Sequence, residues 1–334
     1  MIRVISFLLG LMIFSGLVGG YGKAADRVST SATASPSQAT PNSGQAGDVP
    51  EARALSEKVK ELRKAGKYDD ALPLAQRALT IREKALGPEH AEVATSLLSL
   101  GYVWFGKEWW YNALTTFQQA LKIREKVLGP EHPDTAASLR AIALVYRVLG
   151  FYDRALPLAQ RDLKITEKVK GPEHPDTADS MDNLAWIYLE IGAFEQALPL
   201  AQQALRVREK MFGPEVVTSA SLNTLAQVYR MLGSAAQALP LAQRAFEIRE
   251  KILGPGTSRN EYTLRLLGYI FLDLKNYPQS ESCFRRTERP RSQMGLVELY
   301  LETGRHEEAL MRLARLSPSP LYPLQYKVQY YQCR

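Results

Sequence analysis

The sequence predicts an all-α solenoid of antiparallel helix pairs, on two observations. Gly-Pro recurs at Gly87-Pro88, Gly129-Pro130, Gly171-Pro172, Gly213-Pro214 and Gly254-Pro255, in steps of 42, 42, 42 and 41 residues. Each interval also holds two stretches with apolar or small residues at spacings of three and four, the mark of amphipathic helices. A unit of this size cannot bury its own apolar face and must stack on its neighbours.

The first 25 residues stand apart from the array. Arg3 precedes an apolar run from Val4 to Val18, followed by small residues up to Ala25. This is the layout of a secretory signal peptide, and the expectation is export to the periplasm or secretion. The run is short for a membrane-spanning helix of about 20 residues, so an uncleaved inner-membrane anchor is the alternative. Residues 26–50 are Ser, Thr, Ala, Pro, Gln and Gly without an aromatic, which predicts a disordered linker.

The array is placed at residues 51–316, as about five full units with degenerate flanking copies. In one unit, the first helix is expected from about Pro175 to Ile191. His174 flanks it, Pro175 takes the first helical position and Asp176 lies in the first turn. Gly192 stops it. The second helix starts at Phe194 and buries Ala197, Ala201 and Ala204, small residues that let paired helices approach closely. Pro73, Pro157, Pro199 and Pro240 recur in these second helices. An interior proline costs about 3 kcal/mol, so the first turn is expected at or just before each ALPL tetrapeptide. Residues 317–334 read as an unpartnered helix, which suggests a truncated chain or self-association through that end.

Composition excludes several function classes. The net charge of +7 is dispersed among Glu and Asp and forms no concentrated basic stripe, which argues against nucleic-acid binding. Runs such as Arg82-Glu83-Lys84 and Arg124-Glu125-Lys126 read as solvated, salt-bridged surface. Cys283 and Cys333 have no zinc-site spacing. His90, His132 and His174 recur with the period, which places them about 10 Å apart and too far to share a metal ion. They read as residues that start helices. No nucleophile with a paired base, glycine-rich phosphate loop or HExxH occurs, so no catalytic residue, cofactor or metal ligand is assigned.

The order Leu, Ala or Gly, aromatic, Gly, aromatic, Ala, Ala resembles the tetratricopeptide repeat. It runs Leu100, Gly101, Trp104, Trp110, Ala113, then Ile142, Ala143, Tyr146, Gly150, Tyr152, Ala155. Leu184, Ala185, Tyr188, Gly192, Phe194, Ala197 and Leu225, Ala226, Tyr229, Gly233, Ala238 continue it. The 42-residue period resembles the kinesin-light-chain type, and the array is similar to those that precede a caspase-like CHAT domain in bacterial proteins. The resemblance implies a right-handed superhelix whose first helices line a concave groove. It also implies a non-catalytic scaffold for protein interaction. The alternative it raises is the regulatory arm of a CHAT-type protease.

Carried over position by position, the resemblance puts Tyr102, Phe105, Arg140, Arg147, Asn183, Trp186, Asn223, Gln227, Arg230, Arg265 and Tyr269 in that groove. Aromatic rings, amides and guanidinium groups together suit an extended backbone with acidic side chains. The partner expected is therefore an acidic peptide segment. A membrane partner follows only if the N-terminal segment stays attached.

Overall fold

The computed structural model describes residues 49–214, 216–254, 260–287 and 290–316. The signal peptide expected at 1–25, all but the end of the linker expected at 26–50, Cys333 and the C-terminal helix expected at 317–334 lie outside the described residues. Fourteen α-helices and no strand occur among the described residues. The first hairpin pairs α1 (Pro50–Lys64) with α2 (Tyr68–Leu86), and the second α3 (Ala91–Gly106) with α4 (Trp110–Val127). The third pairs α5 (Pro133–Val148) with α6 (Tyr152–Lys170), and the fourth α7 (Pro175–Glu190) with α8 (Phe194–Phe212). α9 (Val216–Met231) and α10 (Ala235–Leu253) form the fifth, α11 (Glu261–Asp273) and α12 (Tyr277–Arg285) the sixth, α13 (Pro290–Glu302) and α14 (His306–Leu316) the seventh.

Local chemistry sets the helix bounds. His90, His132 and His174 are N-caps, and each Nδ1 accepts the backbone N–H two residues on at 3.1 Å. That satisfies a donor the first turn would otherwise leave orphaned. The turn inside each hairpin needs a residue with positive φ. Gly66, Gly150, Gly192, Gly233 and Gly304 supply it at 75–80°, whereas Glu108 and Lys275 take φ near 60° in the second and sixth hairpins. The recurrent prolines sit at the sixth position of their helices, three residues after the start for the alanine of each ALPL. Each forfeits only the bond to a first-turn carbonyl, which is why four are tolerated.

Packing follows the small residues. Ala71, Ala75 and Ala78, Ala197, Ala201 and Ala204, and Ala238, Ala242 and Ala245 are almost fully buried. Where a phenylalanine takes such a place, the facing helix carries glycine. A Cβ on Gly101 would come within 2.4 Å of Phe117, and one on Gly268 within 2.5 Å of Phe284. The core is thus a string of small apolar clusters shared by neighbouring hairpins. Successive first helices touch one another, and successive second helices make no comparable contact. The side carrying the first helices is therefore the inner, concave one.

The arginines of the Arg-Glu-Lys runs are not surface residues, contrary to the sequence expectation. Arg82 and Arg124 are each 3% exposed and Arg208 is 7% exposed. They lie four residues after Ala78, Ala120 and Ala204, hence on the same buried helix face. Each guanidinium bonds a serine of the next first helix: Arg82 to Ser96 at 2.7 Å, Arg124 to Ser138 at 3.0 Å, and Arg208 to Ser221. Arg208 also pairs with Asp179 and Asp182. The neighbouring Glu and Lys do behave as exposed ion pairs, linking Lys126 to Glu89, Lys168 to Glu131 and Lys210 to Glu173 across hairpins. No helix among the described residues is long and apolar enough to cross a membrane.

Candidate functional site

The concave faces of α5, α7, α9 and α11 line an open cavity of about 480 Å³, with Arg249 of α10 reaching its wall. Its lining carries Arg147, Arg230, Arg249 and Arg265 against one carboxylate, Glu190. Trp186, Tyr262 and Tyr269 supply flat apolar surface, and Asn223 and Gln227 supply amides.

The charged groups are held by rings. The Arg147 guanidinium lies 5.5 Å from the Trp186 ring centre, and Arg265 lies 5.3 Å from that of Tyr262. Trp186 and Tyr262 meet edge to face at 5.5 Å. Because α9 stands between α7 and α11 in the stack, this contact crosses in front of α9, where Ala220 and Asn223 leave room. Arg230 covers Tyr269 at 4.7 Å and forms an ion pair with Asp273 at 2.8 Å. Among the described residues, no carboxylate forms an ion pair with Arg147 or Arg265.

Burial shapes the electrostatics. It pushes the phenol pKa of Tyr262 and Tyr269 above the usual range, so both stay neutral hydrogen-bond donors. Burial also lowers the Arg147 pKa, opposed by the charge of Glu190. Asn223 is 3% exposed; its Nδ2 donates to Thr263 Oγ1 at 2.8 Å, while its buried Oδ1 has no partner among the described residues.

Seven of the eleven residues placed in the groove by sequence reasoning line this cavity: Arg147, Trp186, Asn223, Gln227, Arg230, Arg265 and Tyr269. The other four do not. Tyr102 packs on Phe117 at 5.0 Å beneath Arg63, and Phe105 packs on Trp110 at 5.0 Å. Asn183 is half-buried outside the lining, and neither of its buried amide atoms has a partner among the described residues. Arg140 is turned into the stack, donating to the Asp176 carbonyl at 2.7 Å and to Ser180 Oγ at 3.1 Å, which corrects its placement as a groove cation. Sequence reasoning missed Tyr262 and Arg249. Tyr262 could have been found from its offset of three from Arg265 and seven from Tyr269, one face of α11.

The profile of the tetratricopeptide repeat matches residues 62–105, 107–160, 138–210 and 217–289, well over half of the chain. No curated protein sequence matches significantly. Among solved structures, nearly identical TPR-like repeats of a Podosopora anserina kinesin light chain are 26% identical. That alignment covers 60% of this chain and 95% of the other, with a TM-score of 0.47. The apo form of RapI is 17% identical over 85% of this chain and 99% of its own, with a TM-score of 0.56. Cut9 with Hcn1 from the APC/C is 14% identical over 84% of this chain and 49% of its own, with a TM-score of 0.59. With its periodic hairpins, buried alanines and matched profile, the chain belongs to the tetratricopeptide repeat family, whose arrays are scaffolds for protein–protein interaction.

Proposed function

We propose that the array holds an extended acidic peptide segment of a partner protein in the cavity between α5 and α11, without chemistry. The observation that carries this reading is the lining of four arginines against one glutamate. Arg147 and Arg265 rest on aromatic rings, where a cation keeps its charge available for an incoming carboxylate. Trp186 and Tyr269 give the peptide flat surface, and Gln227 supplies an amide for its backbone. Arg230, already paired with Asp273, orients the wall instead of capturing charge.

The test is a pull-down with the full chain as bait and with Arg147→Glu/Arg265→Glu beside it. Reversal of two wall charges lowers recovery of the bound partner by about tenfold or more. Equal recovery by both forms removes the cavity from the account. The location we propose is outside the cytosol, supported by the apolar run Val4–Val18. N-terminal sequencing of protein from intact cells checks it, and a retained Met1 in a soluble cytosolic pool refutes it.

A further inference from the structure

The third hairpin departs from the first, second, fourth and fifth at three positions that meet in one place. In α2, α4, α8 and α10 a buried small residue, Ala78, Ala120, Ala204 or Ala245, is followed four residues later by arginine. In α6 the same two places hold Asp162 and Thr166. The missing guanidinium comes from elsewhere: Arg140 of α5 reaches the Asp176 carbonyl and Ser180 Oγ. Arg124 binds the equivalent pair, the Asp134 carbonyl and Ser138 Oγ, one hairpin earlier. Thr166 Oγ1 fills the vacated space and donates to Ser180 Oγ at 3.2 Å.

Asp162 is left in a costly position. It is fully buried, and among the described residues neither carboxyl oxygen accepts a hydrogen bond of normal geometry. Its nearest cation, Arg140 Nε, is 4.0 Å away. Negative charge also faces it from α7 through Asp176 and Asp179, which are paired with Lys170 and Arg208. Tyr102 of α3 lies within electrostatic reach of Arg140 and stays neutral because burial raises its pKa.

We propose that the packing of α5, α6 and α7 around Asp162 is a proton-operated joint in the array, tight when this carboxyl is protonated and loosened when it ionises. Burial raises the pKa of Asp162 to about 7, more than Arg140 and the nearby Ser180 lower it. In the unfolded chain the same group titrates near 4. The stability that the proton contributes is therefore complete below about pH 4 and is lost as pH rises through about 7. The same α5 carries Arg147 to the cavity, so the joint connects to the groove through that helix.

The experiment compares the full chain with Asp162→Asn and Asp162→Ala by thermal unfolding from pH 5 to pH 8. Hydrogen exchange, corrected for intrinsic rates, is followed in parallel. In the wild type, Tm falls across this range and protection is lost in α5, α6 and α7. Both variants hold that protection and unfold at a higher temperature than wild type at pH 8. Asp162→Ala/Thr166→Arg/Arg140→Leu, which copies the second hairpin at all three places, covers the case in which neither single variant folds, and must show the same flat protection. Variants that keep the wild-type pH dependence in α5–α7 overturn the proposal, as does a loss of protection confined to other helices.

Discussion

Replacing Arg124 by alanine tests whether the buried arginines hold successive hairpins together. The guanidinium donates to the Asp134 carbonyl at 2.7 Å, Ser138 Oγ at 3.0 Å and Thr95 Oγ1 at 3.2 Å, thereby tying α4 to α3 and α5. Three bonds at about 1 kcal/mol net apiece, with the lost contacts of the buried stem, give a cost of about 3–4 kcal/mol. No further orphan penalty applies, because Thr95 Oγ1 still donates to the Ala91 carbonyl and Ser138 Oγ to that of Asp134. Burial lowers the Arg124 pKa, a sign that enclosing the charge is itself unfavourable. Arg124→Met, which fills the space without a charge, is therefore expected to cost only about 1 kcal/mol. Urea unfolding measures both variants, and hydrogen exchange in α3–α5 locates the change. An alanine variant within about 1 kcal/mol of wild type refutes the reasoning, as does a methionine variant as unstable as alanine.

Gly101→Ala places a Cβ 2.4 Å from the fully buried Phe117 ring and is expected to cost about 2–3 kcal/mol in urea unfolding. Phe117→Ala alone leaves a cavity and is expected to cost about 3–5 kcal/mol, but Gly101→Ala adds little on top of it because the clash has gone; additive losses contradict the packing account. Glu298 in α13 has its pKa raised to about 7 by burial, with Asp273 and Glu302 adding to the rise and Arg230 opposing it. Its folded-state value exceeds the unfolded one, so stability declines as pH rises through about 7. Glu298→Gln raises Tm at pH 8 and leaves it near wild type at pH 5, with the change in exchange confined to α13 and its neighbours.

The hairpins were legible because their signals are local. His174 before Pro175, and a glycine such as Gly192 in the turn, act within a few residues of where they stand. The arginine burial was hidden because Arg-Glu-Lys is polar as a string; only the offset of four from Ala120 shows that Arg124 shares the apolar face. Arg140 could not be read as internal without seeing that Thr166 lacks a guanidinium 26 residues later, a compensation between helices. The cavity was half legible for a related reason. Single-helix faces yielded Arg265 and Tyr269, but the meeting of Trp186 with Tyr262 depends on the curvature of the whole stack.

That meeting alters what kind of object the middle of the chain is. Pure nearest-neighbour stacking would let any unit be cut out or duplicated at the cost of one junction. Trp186 and Tyr262 belong to units two apart, so a ring on each must find the other over whatever lies between. Deleting residues 216–253 would bring α7 against α11 at half the spacing the two rings now span, and duplicating them would part the rings altogether. The central hairpins are therefore coupled beyond their nearest neighbours, and cutting out or adding a unit there forfeits this ring contact, worth about 1 kcal/mol, on top of the junction.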